Sequence, residues 1–139
     1  MKDTKITTNN LKPTTINHLL VVSGGIMKVL VSDKLSEKGI EILKEAGDID
    51  IDVKTGLTKE QLVTEIPKYH GLIVRSSTKV TADIINAAAN LKVIGRAGIG
   101  VDNVDVDAAS KKGIIVMNTP EGNVITTAEH AIAMMLSLA

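Results

Sequence analysis

Two arginines and a glycine-rich turn are the residues of this chain best suited to chemistry. Gly95-Arg96-Ala97-Gly98-Ile99-Gly100-Val101-Asp102-Asn103 follows an apolar, strand-like run and precedes a helix-like one, and Arg75 ends the strand-like run before it. Glycines at 95, 98 and 100 let the main chain turn sharply and leave N–H groups uncovered. Uncovered N–H groups at a helix entrance form an anion site, and a guanidinium can clamp a carboxylate or phosphate with two parallel hydrogen bonds. The chemistry on offer is retention of a small anion. The competing reading is a tight strand-to-helix turn with no ligand.

Nucleotide motifs fail on spacing. A dinucleotide fingerprint needs glycines at positions one, three and six. Counted from Gly98 the third falls on Asn103, and counted from Gly95 the second falls on Ala97. A phosphate-loop NTPase needs Lys after Gly100, where Val101 stands.

The turn has to be positioned by regular elements, and these alternate from Met27 onward. Strand-like runs are Lys28–Ser32, Ile49–Val53, Leu72–Arg75, Lys92–Arg96 and Ile114–Met117. Most are nearly continuous Val, Ile and Leu, the pattern of strands buried on both faces. Ile49-Asp50-Ile51-Asp52-Val53 alternates and reads as an edge strand. Between the strands lie helix signals. Ser36 caps the first helix, which stops at Gly47. Thr58 with Gln61 is a capping box, stapled by Leu57 and Leu62. Thr81 caps the third helix, with Val80 and Ile85 as staple, and Gly113 ends the fourth. Thr126 with Glu129 reads as a second capping box, which places His130 in the first turn of the last helix. The βαβαβαβαβα order predicts an α/β domain: a flavodoxin-like, doubly wound parallel sheet of about five strands with helices on both faces.

The division is a leader over 1–26, a domain over 27–125 and the start of a further helix over 126–139. Residues 1–26 are rich in Thr and Asn and lack a period, so they read as a disordered tail, a tag or a misassigned start with Met27 as the true first residue. The last helix is apolar on nearly all sides. Such a helix is buried all round, so another domain or another chain is expected to cover it, and the chain is expected to be truncated.

Composition removes several function classes. The chain has 139 residues, zero formal net charge, no cysteine and a single aromatic, Tyr69. Its length suits one domain. Neutral charge gives no case for nucleic acid or an acidic membrane, and one aromatic gives no stacking platform for single-stranded bases. Absent cysteines exclude disulfides and fit a cytoplasmic protein. The apolar run Ala128–Ala139 is too short to cross a bilayer, and Leu19–Val22 is too short for a signal peptide.

Ligands of a doubly wound sheet bind at the carboxyl ends of its strands. Asp33, the segment Arg75-Ser76-Ser77-Thr78, the run from Arg96 to Asn103 and the run from Asn118 to Asn123 collect there. Arg75 would clamp the anion, Ser76 would add a hydroxyl, Gly98-Ile99-Gly100 would add N–H donors as a nest, and Asn123 would orient a hydroxyl or carbonyl. Structural alternatives stand beside these roles: Arg75 paired with Asp102 or Asp105, Asn118 fixing a turn, Asp102 and Asn103 capping the next helix. His18, His70 and His130 are poorly placed for catalysis, and no metal-ligand spacing or nucleophile motif stands out.

Gly71-Leu72-Ile73-Val74-Arg75-Ser76-Ser77-Thr78-Lys79-Val80-Thr81, the run from Val93 to Asp105, the run from Gly113 to Asn123 and Thr127-Ala128-Glu129-His130-Ala131 together resemble the D-isomer-specific 2-hydroxyacid dehydrogenases, over residues 27–139. The likeness is strongest to the branch acting on 3-phosphoglycerate. It implies an NAD-dependent oxidoreductase of amino-acid (serine) biosynthesis, of which this chain is part of the substrate-binding domain, truncated before the Rossmann cofactor domain. It implies substrate contacts from Arg75, Ser76, Arg96, Gly98, Ile99, Gly100 and Asn123, with Ile99 standing where some members carry Thr. It places the catalytic residues and the NAD site outside this chain, implies a homo-oligomer, and predicts that the 139 residues alone are inactive. The rival readings are another D-2-hydroxyacid dehydrogenase, a free-standing small-anion module on the same fold, and a phospho-receiver domain. The last needs an aspartate after the third strand, where Arg75 stands.

Overall fold

A computed structural model of the chain describes residues 26–47, 49–120 and 124–137. The leader assigned to 1–26, apart from Ile26, lies outside the described residues, as do His18 and Asn123. The elements run β1 (Met27–Val31), α1 (Glu37–Glu45), β2 (Ile49–Val53), α2 (Lys59–Glu65) with a 3-10 turn over Ile66–Lys68, β3 (Gly71–Val74), α3 (Ala82–Ala87), β4 (Val93–Arg96), α4 (Val106–Lys111), β5 (Ile115–Asn118) and α5 (Val124–Ser137). All strand pairs are parallel, in the order β2-β1-β3-β4-β5. The predicted α/β, flavodoxin-like order is present, with the alternating β2 at an edge.

In-register pairing explains where the core sits. Leu30, Leu72, Ile94 and Val116 form one row across four strands. Leu30, Leu72 and Ile94 are fully buried, and Val116 packs against them. Leu62, Ile66, Val80, Ile84, Ile85 and Ala109 come from the helical side of this layer. Each buried aliphatic side chain contributes about 1.5–3 kcal/mol, so this row and its cover hold the sheet together. The fully buried Tyr69 closes the layer at the β2 edge, its hydroxyl donating to Asp52 Oδ2 at 2.7 Å.

Several helix signals act as read. Ser36 Oγ accepts from Gly39 N at 3.2 Å, Thr58 and Gln61 form the reciprocal capping box, and Gly47 and Gly113 take φ of 79° and 73° past their helices. Thr81 is a partial exception. Its backbone is the N-cap of α3 and its staple residues Val80 and Ile85 are buried, but its hydroxyl is buried without a partner among the described residues.

Two expectations are corrected at the carboxyl end. Helix α5 begins at Val124, so Thr126 lies inside it rather than capping it, and His130 falls in the second turn. The side chains from 125 to 137 are all exposed, Leu136 at 72 %. None of the described residues buries the apolar helix. Strand β5 is likewise covered on one face only: Val116 points into the core while Ile115 and Met117 are 63 % and 56 % exposed. Residues alternate sides along a strand. The opposite face is therefore closed where Val29 and Val31 lie and bare where β5 lies.

Candidate functional site

The loop leaving β3 is wrapped around a buried carboxylate. Asp33, 4 % exposed just past β1, accepts from Arg75 N at 2.6 Å and Thr78 N at 3.1 Å through Oδ2, and from Thr78 Oγ1 at 2.7 Å through Oδ1. Thr78 Oγ1 also meets Ser32 Oγ at 3.0 Å. Burial opposes ionisation of Asp33. Hydrogen bonds from the Thr78 hydroxyl and from the Arg75, Thr78 and Ser77 backbone outweigh it and hold the group below the ordinary carboxylate range. The loop is thereby closed by a fixed negative charge at its base, with Arg75 and Ser76 on its exposed side.

The turn after β4 is fixed from three sides. Ala97 N donates to Val74 O at 2.8 Å and Gly98 N to Arg96 O at 2.9 Å, so two of the turn's N–H groups are not free as the glycine spacing predicts. Thr119 N donates to Gly98 O at 3.0 Å, and Asn118 Nδ2 to Ile99 O. Among the described residues, the N–H groups of Ile99 and Gly100 have no hydrogen-bond partner. The glycines are needed sterically: a Cβ on Gly98 would sit 2.9 Å from Arg96 Cζ, and one on Gly100 would sit 2.8 Å from Asp102 Oδ1. The Arg96 guanidinium therefore lies against the bare backbone of Gly98.

Loop and turn enclose an open cleft of about 430 Å³ lined by Arg75, Ser76, Arg96, Ala97, Gly98, Ile99 and Thr119. Five of the residues read from the sequence meet there; Gly100 borders the lining and Asn123 is not described. Among the described residues, no carboxylate lines the cleft and neither arginine has an ion-pair partner. Arg75 does not pair with Asp102 or Asp105; its Nη1 donates to Lys34 O at 3.2 Å. Among the described residues, two cations, a hydroxyl and two unpartnered N–H groups face the cleft with no negative charge opposite them, an arrangement suited to an anion.

The family description "D-isomer specific 2-hydroxyacid dehydrogenase, catalytic domain" matches residues 29–135. The chain belongs to this family. Among curated relatives, the D-3-phosphoglycerate dehydrogenase of Archaeoglobus fulgidus is 55 % identical over 113 residues, covering 81 % of this chain and 21 % of the relative. The human D-3-phosphoglycerate dehydrogenase is 53 % identical over 114 residues, with 82 % and 21 % covered. This chain thus spans about a fifth of the length of such relatives. The crystal structure of NAD+-bound 3-phosphoglycerate dehydrogenase from Entamoeba histolytica superposes with a TM-score of 0.69 at 37 % identity, covering 78 % of this chain and 38 % of that one.

In this D-2-hydroxyacid dehydrogenase domain, the polar side chains beside the turn follow their sequence reading only in part. Helix α4 is capped by Asp105, whose Oδ1 accepts from Ala108 N at 2.9 Å, and not by Asp102 or Asn103. Asn103 instead bridges the two arginine-bearing segments: Nδ2 donates to Arg75 O at 2.6 Å and Thr78 O at 2.7 Å, and Oδ1 accepts from Arg96 Nε at 3.3 Å. Asn118 fixes a turn, as one reading had it, but the glycine turn of the neighbouring strand. Thr119 was missed as a lining residue, although it follows β5 at the edge where ligands were expected. His70 accepts from Lys28 N at 3.1 Å through Nδ1 at the opposite end of the sheet, and His130 is exposed on α5.

Proposed function

We propose that these residues form the substrate-holding part of an NAD-dependent D-3-phosphoglycerate dehydrogenase, which oxidises 3-phosphoglycerate to 3-phosphohydroxypyruvate in serine biosynthesis. The cleft carries the reading: two arginines without carboxylate partners among the described residues face a turn whose Ile99 and Gly100 N–H groups are likewise unpartnered there, at the edge of the sheet where this fold binds ligands. Arg75 and the Ile99 and Gly100 N–H groups would hold the carboxylate, Ser76 would donate to it, and Arg96 would hold the phosphate. Asn123 remains a proposed contact beside them. These residues bind and orient, which is positioning rather than bond-making.

The described residues do not fit a dinucleotide. Asn103 stands where the third fingerprint glycine would fall, and its side chain occupies the space between the two loops. These residues would orient the substrate so that its C2 hydride faces a nicotinamide held outside them, and NAD, when bound, would supply the hydride acceptor. The substrate would be a small anion with a carboxylate at one end and a phosphate at the other, with neither nucleic acid nor a membrane surface as partner. Among the described residues no helix is long and apolar enough to cross a bilayer. A cytoplasmic homo-oligomer completes the proposal.

Titration of the 139-residue chain with 3-phosphoglycerate, followed by amide chemical shifts, tests the reading. Saturable shifts confined to residues 75–78 and 96–100 are expected. Arg75→Ala removes a charge-assisted clamp worth about 1.5–3 kcal/mol, a loss of about 10- to 150-fold in affinity. Unchanged shifts in the wild-type chain on adding the anion would overturn it.

A further inference from the structure

Resting on that reading of the cleft, we propose that Asn103 is a positioning residue that sets Arg75 and Arg96 at one fixed spacing, so that the cleft selects an anion charged at both ends over one charged at a single end. Asp33 takes the N–H groups of Arg75 and Thr78, and Asn103 takes the carbonyl groups of the same two residues. All four main-chain polar groups at the ends of the Arg75 loop are therefore occupied, from the β1 side by a carboxylate and from the β4 side by an amide. Asn103 alone also reaches the second cation: its oxygen accepts from Arg96 Nε at 3.3 Å. Among the described residues no other side chain bonds to both arginine-bearing segments.

The choice of atoms matters. Binding at Nε leaves both terminal nitrogens of Arg96 free to fork onto an anion. Gly98 lets the guanidinium lie against the backbone, because a Cβ there would stand 2.9 Å from Cζ. The Asn103 backbone is itself anchored, its carbonyl accepting from Val80 N at 2.8 Å. A short side chain with both a donor and an acceptor is required at this point. Aspartate would set a charge against two carbonyl oxygens, and leucine would leave three polar groups unpaired.

The full 139-residue chain tests this with 3-phosphoglycerate and D-glycerate as the two probes. Asn103→Ala is expected to weaken 3-phosphoglycerate about tenfold and D-glycerate about threefold or less, because the phosphate end depends on Arg96 and is the end that is lost. Arg96→Ala placed on top of Asn103→Ala is then expected to add less than about twofold, since the pair acts as one unit. A folded Asn103→Ala chain that binds both anions as the wild type does, or losses that multiply in full, overturns the proposal. If Asn103→Ala fails to fold, Asn103→Ser, which keeps one hydroxyl, is read by the same criteria. If the wild-type chain binds neither anion, the substrate reading fails, and positioning is then judged on the Arg96 Nε–H resonance. Slower hydrogen exchange in the wild type than in Asn103→Ser supports it, and equal exchange overturns it.

Discussion

Asp33 stays ionised because the loop that carries Arg75 folds around it. The sign of its effect on stability follows. Its pKa in the folded chain lies below the value of about 3.9 for an unfolded aspartate, so its contribution is complete above that value and is lost as pH falls through the folded pKa. Glu65, held down to about 2 by hydrogen bonds from Lys54 and Lys68, acts in the same direction at the surface. Denaturant unfolding should give stability that is level near neutrality and falls below about pH 4, with a shallower fall in Asp33→Asn; equal slopes in the two proteins would contradict the role given to Asp33. Thr81 offers the opposite case. Its hydroxyl is buried without a partner among the described residues, so Thr81→Val, which keeps the shape and removes the polar atom, should be neutral or stabilising by up to about 1 kcal/mol. A loss beyond that range would show that the hydroxyl is used. Arg75, Ser76 and Arg96 were legible as neighbours at one sheet edge, where they line one cleft, because their place after strands speaks locally. The bridge made by Asn103 was not, because an asparagine three residues before a helix looks the same whether it caps that helix or reaches across to another loop.

Among the elements, capping chemistry was readable wherever it acts within one turn of helix. Ser36, the Thr58–Gln61 box and the stop at Gly113 are contacts between residues close in sequence, and all three are present. Gly113 takes a left-handed φ of 73° with open space where a Cβ would point. Gly113→Ala should therefore cost backbone strain alone, about 1–2 kcal/mol, and Gly113→Asn less; thermal unfolding of the pair checks this ordering. The start of α5 was misplaced because Thr126 and Glu129 have box spacing inside a segment that is already helical.

For the molecule as a whole, the two faces of one sheet have different fates. Ile94 is fully buried in the row shared by four strands, whereas Ile115, which pairs with Val93 and so lies on the opposite face, is 63 % exposed. Ile94→Ala should cost about 2–5 kcal/mol, and Ile115→Ala less than about 0.5 kcal/mol, both by denaturant unfolding of this chain. A large cost at Ile115 would mean that the bare face is covered in solution. The apolar α5 was expected to be covered by another domain or another chain, not by the helices of this domain. The pattern says that a helix has surface to bury, and the described part of this chain does not bury it.

The sequence alone determined the alternation of strands and helices, the parallel sheet, the edge position of β2 and the family, because these follow from periodicity and from motifs whose residues are neighbours along the chain. Tertiary structure decided which N–H groups of the glycine turn stay free, which loop Asn103 ties to which, and which sheet face is open. Those depend on groups separated by many residues meeting within about 3 Å, and no local pattern encodes that encounter.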